Sequence, residues 1–272
     1  MPDTPIAEAL VRAAHACADA ARPETLRLFR RGVAADDKAG GALGGGARFD
    51  PVTEADRAAE QAMRAVLSRL RPEDGVFGEE FGAVPGTTGL TWVLDPIDGT
   101  RGFLAGAPTW GVLVAVADAE GPLYGIIDQP FIGERFEGGL GRARVRGPHG
   151  EAPLRARAPR PLADATLLTT FPEVGTEAER MAFRRVASRA RLVRYGLDCY
   201  GYALLALGEV DLVIEAGLQP YDVAAPIAVV RAAGGLATAW DGGPAEGGGR
   251  MLAAANPLIH AEAMALLADP GA

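Results

Sequence analysis

The stretch Trp92-Val93-Leu94-Asp95-Pro96-Ile97-Asp98-Gly99-Thr100 sets two carboxylates three residues apart at the end of an apolar run, just before a glycine–threonine turn. Val93 and Leu94 read as the buried end of a strand. Asp95 and Asp98 then fall where strand becomes turn, and their oxygens suit one or two hard divalent cations. Gly99 and Thr100 open the next segment with backbone N–H groups that suit a phosphate oxygen. Taken alone, the stretch also fits a plain strand and type I turn, because Asp-Pro and Asp-Gly are common turn dipeptides.

Outward from this stretch, the 272 residues are 49% hydrophobic and carry a net charge of −8. A chain of this length and apolar content buries a large core, as one domain or two closely packed ones, and is not disordered. The charge argues against a nucleic-acid partner; the arginines at 142–160 and 180–194 read as solvated surface. Cys17 and Cys199 form no metal-binding or redox spacing, and nothing requires an oxidising compartment, so a cytoplasmic location is expected. Ile6, Leu10, Ala13, Ala14 and Cys17 recur at helical spacing, which predicts a packed amphipathic helix rather than a signal peptide. No apolar run is long enough to span a bilayer, and no membrane partner is expected.

Pro23 is expected to restart the first helix through Leu26 to Phe29. The glycine-rich run Gly40 to Gly46 lacks the lysine–serine/threonine ending of a nucleotide-binding loop and reads as a flexible flap. Thr53 and Asp56 predict a capped helix whose Ala59, Met63, Val66 and Leu70 share a face, ending near Arg71-Pro72. Strands follow at 110–117 and 123–127, joined by a hairpin, and shorter glycine-rich strands lie between 131 and 145. The proline-, glycine- and arginine-rich residues 146–161 look like a seam between halves. Beyond it helices and strands alternate, so the second half is α/β.

Three further acidic clusters accompany the opening stretch: Asp50-Pro51-Val52-Thr53-Glu54-Ala55-Asp56, Gly78-Glu79-Glu80 and Tyr221-Asp222-Val223-Ala224-Ala225. In order, spacing and residue type the four together resemble the inositol monophosphatase superfamily of magnesium-dependent, lithium-sensitive phosphatases. The resemblance covers nearly the whole chain. It implies an α/β fold, an α+β N-terminal half (1–145) and an α/β C-terminal half (146–272), layered as an αβαβα sandwich with the site in the cleft between them. It also implies two or three Mg²⁺ ions, the first held by Glu79, Asp95 and the Ile97 carbonyl, the second by Asp95, Asp98 and Asp222. Thr100 and Glu79 would orient the attacking water, with Asp50 hydrogen-bonded to Thr100, and Gly99 and Thr100 would cradle the phosphate. Asp56 and Glu80 either support these residues from behind or are helix-start acids. His15, His149 and His260 show no paired ligand spacing and read as surface or core residues.

Three segments are similar to the histidinol-phosphatase branch of that superfamily: Gly125 to Pro130 with Gly133-Glu134-Arg135, Gly196 to Tyr200, and Glu215 to Asp222. The position of Asp198 is typically small and uncharged in inositol monophosphatases. An acid there, with Glu215, favours an alcohol carrying positive charge, as histidinol phosphate does. The competing reading makes Asp198 the N-cap of a helix over 199–207. The resemblance thus implies a small phosphorylated metabolite, histidinol phosphate, as partner, and a homodimer. The alternatives are an inositol or sugar-phosphate phosphatase, a 3′-phosphonucleotide phosphatase, or a non-catalytic binder of phosphorylated metabolites. The glycine loop at 39–46 is longer than the usual flap, and Arg101 is expected to face solvent.

Overall fold

The computed structural model describes residues 4–32, 34–37, 51–171, 173 and 175–268. Asp50 and the glycine run 40–46 lie outside these residues. Helix α1 spans Thr4–Leu28 without interruption, with Pro23 inside it. The break expected there does not occur, because Leu10, Ala14, Cys17 and Ala21 keep one continuous buried stripe against the neighbouring helix and sheet. The short strands β1 (Ala35–Asp37) and β2 (Pro51–Thr53) pair antiparallel and lead into α2 (Glu54–Leu70). Its capping box is the expected one: the Thr53 hydroxyl accepts the Ala55 N–H at 3.1 Å, and Asp56 accepts the Thr53 N–H at 2.8 Å.

The larger sheet comprises β3 (Gly75–Gly78), β4 (Gly82–Val84), β5 (Thr91–Asp98), β6 (Gly111–Asp118), β7 (Gly121–Gln129), β8 (Glu134–Gly139), β9 (Arg142–Gly147) and β10 (Gly150–Pro153), with α3 (Thr100–Leu104) after β5. Its spatial order is β10-β9-β8-β7-β6-β5-β3-β4. The sheet therefore runs to Pro153, into the region 146–161 read as the seam, and residues 154–161 after it carry no helix or strand. The proline- and glycine-rich composition at the start of that region marks the turn of one more hairpin, in which Gly150 pairs with Gly147 and Pro153 with Arg144. The second sheet contains β11 (Thr166–Thr169), β12 (Leu192–Tyr195), β13 (Leu212–Leu218), β14 (Leu236–Ala239) and β15 (Gly249–Ala254), interleaved with α4 (Glu177–Ala187), α5 (Cys199–Leu207), α6 (Pro220–Ala232) and α7 (Pro257–Ala268). Its order is β12-β11-β13-β15-β14.

Five layers result, because most β6 side chains are apolar on both faces. Val112, Val114 and Val116 pack under α1 and α2, whereas Leu113 and Ala115 face α5 and α6. The other side of α5 and α6 meets Val213, Met251 and Ala253 of the second sheet, and α4 and α7 cover its far face through Phe183, Val186, Ile259 and Ala263. This is the αβαβα sandwich. Two glycines let α6 lie directly on the first sheet: a Cβ at Gly125 would stand 2.7 Å from the Ala225 carbonyl oxygen, and one at Gly138 would stand 2.5 Å from Val229 Cα. Helix α6 is thereby pressed against the first sheet, and Asp222 in its first turn is brought to the end of β5.

Candidate active site

The ladder between β5 and β6 is regular from Thr91 to Asp95, then shifts register before Asp98. That irregularity turns both aspartates out of the sheet. The Ile97 N–H bonds back to Asp95 Oδ1 at 3.0 Å, fixing the Asp95 carboxylate. Asp222 is fixed by its own helix start: with Pro220 in the first turn of α6, its Oδ2 accepts the Gln219 N–H at 2.7 Å. One carboxylate oxygen from each of Asp95, Asp98 and Asp222 lies within 4.8 Å of the others.

These acids are electrostatically costly together. Burial pushes Asp95 well above the ordinary carboxylate range, and the charges of Glu79, Asp98 and Asp222 push it the same way. Asp98 is raised likewise by burial, then by Asp198 and Asp222, against the hydrogen bonds it accepts from Cys199. Like charges held this close in a buried site call for a compensating cation, and an all-oxygen donor set fits Mg²⁺ or another hard divalent ion. Glu79 is brought into the same cluster by a second device: on α2, buried Glu60 accepts the N–H of Glu80 at 2.7 Å and that of Phe81 at 3.3 Å, while Arg64 bonds Glu60 at 2.7 Å and the Gly82 carbonyl at 2.5 Å. The turn that presents Glu79 is thus clamped by a pair the sequence reading passed over. Its signal was there: Asp56, Glu60, Met63 and Leu67 share one buried face of α2.

Thr100 begins α3 after Gly99, whose φ of 86° favours glycine. Its hydroxyl lies 3.1 Å from the Ile97 carbonyl oxygen and 3.4 Å from Asp56 Oδ1. Asp56 is thus a helix cap, one of the two readings left open for it, and its other oxygen lies beside Thr100.

The cleft, about 570 Å³, is lined by these residues and, on the far wall, by Thr170, Phe171, Asp198, Tyr202 and Glu215. Asp198 occupies the N-cap position of α5 but its side chain makes no capping bond. Its carboxylate stands over Gly99 instead, 2.7 Å from where a Cβ there would sit. Burial and the charge of Glu215 raise Asp198 to about 7, against the pull of Arg101. Glu215 is fully engaged within the protein: it accepts the Thr170 N–H at 2.9 Å, the Thr170 hydroxyl, and the Tyr202 hydroxyl at 2.8 Å. Arg101 is exposed, as expected, and its guanidinium also stacks on Phe171 at 5.1 Å at the cleft mouth. His15 is a structural residue, bonded to Glu137, Tyr124 and Arg135.

Comparison with known proteins agrees with this geometry. The inositol monophosphatase family model matches residues 5–270. The chain is 36% identical to a histidinol-phosphatase of Streptomyces coelicolor over 94% of its own length and 96% of that protein's. It is 42% identical to a chloroplastic bifunctional phosphatase of Arabidopsis thaliana over 71% of this chain, a match that spans 56% of the plant protein. An inositol monophosphatase structure from Zymomonas mobilis superposes with a TM-score of 0.82 at 37% identity, covering 94% of this chain and 96% of that one. The chain belongs to the inositol monophosphatase family, and is a phosphatase of that class. No helix among the described residues is long and apolar enough to cross a membrane.

Proposed function

We propose that this phosphatase hydrolyses histidinol phosphate to histidinol and phosphate. Overall similarity does not choose between esters, since identity to a histidinol-phosphatase (36%) and to an inositol monophosphatase (37%) is equal within a point. The observation that carries the choice is Asp198, a carboxylate turned over Gly99 into the cleft instead of onto its own helix. An acid at the wall that faces the alcohol half suits an ammonium or imidazolium, and offers a polyol only an ordinary acceptor. Glu215 adds negative charge on the same wall.

In the reaction a water oxygen bonds to phosphorus while the bond from phosphorus to the alcohol oxygen breaks, and the alcohol leaves with a proton. Glu79, Asp95 and the Ile97 carbonyl would hold one Mg²⁺, and Asp95, Asp98 and Asp222 a second. Bound there, the ions neutralise the phosphate and lower the pKa of water. The protein's own part is positional. Thr100, beside Asp56 and the Ile97 carbonyl, and Glu79, presented by the clamped turn, orient the water; Asp50 is assigned to the same group. The N–H groups of Gly99 and Thr100 would face the phosphate. Lithium inhibition and a homodimer, testable by salt titration and sedimentation, belong to the same reading.

The test is a panel of histidinol phosphate, inositol 1-phosphate and a 3′-phosphonucleotide in magnesium. Histidinol phosphate should have the highest kcat/KM. Asp198→Asn should lower it about ten- to hundredfold, the worth of a hydrogen bond to a charged group, and leave inositol phosphate within a few-fold. A wild-type preference for inositol phosphate, or equal losses on both esters, would overturn the assignment.

A further inference from the structure

Asp198 is one of three described non-glycine residues with positive φ, and its backbone lies at φ 47°, ψ −140°. That conformation is natural for glycine and uncommon for any residue with a Cβ. It has two consequences at one peptide. It turns the side chain away from its own helix and over Gly99, and it sets the peptide that carries the first N–H of α5. That N–H, on Cys199, donates to Asp98 Oδ2 at 2.6 Å, across 101 residues of sequence. Helix α5 is thus capped by a carboxylate from the other sheet. One oxygen of Asp98 is spent on the helix, and its orientation is set by the peptide that Asp198 begins. The surroundings leave little room for adjustment: a Cβ at Gly111 would meet Cys199 Sγ at 2.6 Å and Gln129 Nε2 at 2.7 Å, and Gln129 Nε2 itself bonds that sulfur at 3.4 Å.

We propose that the backbone of Asp198, apart from its carboxylate, is a positioning element for cation binding: its positive-φ conformation, φ 47° with ψ −140°, sets the peptide whose Cys199 N–H meets Asp98, and so presents the other Asp98 oxygen to the ion. The inference rests on Asp98 being an ion ligand and is independent of which ester is hydrolysed. It separates two roles of one residue that a substitution by alanine would confuse. Glycine and asparagine both accept positive φ, while alanine and, more so, valine resist it.

The experiment titrates metal-free protein with Mn²⁺, reading free ion by electron paramagnetic resonance with no ester present, in wild type and in Asp198→Gly, Asp198→Asn, Asp198→Ala and Asp198→Val. Melting temperature is followed alongside. The Gly and Asn variants should bind Mn²⁺ within about twofold of wild type, Ala about five- to tenfold more weakly, and Val more weakly still, following the cost of left-handed backbone. A dissociation constant equal in Gly and Ala overturns the proposal. So does weakening in Asn and Gly as large as in Ala, which would assign the effect to the lost carboxylate, or a series in which only the melting temperature moves.

Discussion

Two groups of acids, buried or partly buried, sit on the same large sheet and are handled in opposite ways. At the end of β5, burial and neighbouring carboxylates drive Asp95 and Asp98 upward, and among the described residues neither forms an ion pair. On β7 and β8, Asp128 is gripped by Arg22 and Arg135, each at 2.7 Å, and Glu137 by Arg144, His15 and the Tyr124 hydroxyl. Burial alone would raise Glu137, but those hydrogen bonds hold it down at about 2. The second group is complete within the protein; the first, on the proposed reading, is completed by a cation from solution. That difference separates a ligand set from structural ion pairs more sharply than the number of acids does.

The largest test of the contrast is Asp95→Asn. It takes a charge from the centre of the repulsive cluster, so the metal-free protein should be as stable as wild type or more so. Its phosphatase activity in magnesium should fall by orders of magnitude. A variant that is destabilised yet active would make Asp95 a structural acid and erase the distinction. On the other group the signs reverse: Asp128→Ala strands two guanidinium groups and should cost about 3 kcal/mol in denaturant unfolding, the low end for a broken buried pair because Arg22 and Arg135 keep some solvent. The kcat of folded Asp128→Ala should be close to wild type.

How much of this could be read from sequence follows from how local each feature is. Asp95 and Asp98 were legible because strand end, turn and carboxylates fall within nine residues, and the Thr53–Asp56 cap because it spans four. Asp222 needed the resemblance, since nothing near Tyr221 says that α6 will press on glycines 125 and 138 and carry it to β5. Glu60 was hidden by its company: an acid among alanines and methionine reads as a flaw in the stripe until its turn-clamping partners, 20 residues on, are in place. The exact edge of the seam region was not legible because a hairpin turn and a linker share the same glycine and proline content. Asp198 was legible as an unusual charge but not as an unusual φ, because an acid at a helix start reads as an ordinary N-cap.

The smallest and most discriminating effect concerns Glu137, whose replacement by Gln keeps shape and removes only charge. The folded pKa of about 2 lies below the ordinary 4.5, so ionised Glu137 contributes stability that is fully present above about pH 4.5 and is lost as pH falls through 2. Glu137→Gln should therefore be less stable than wild type at pH 6 to 7. The gap should narrow steadily in urea melts taken between pH 4.5 and 2.5, while phosphate release at neutral pH is unchanged. A gap constant across that window would mean that the glutamine loses packing or hydrogen bonds rather than charge. Glu137 would then give no measure of what a charge-compensated buried acid is worth beside Asp95 and Asp98, which form no ion pair among the described residues.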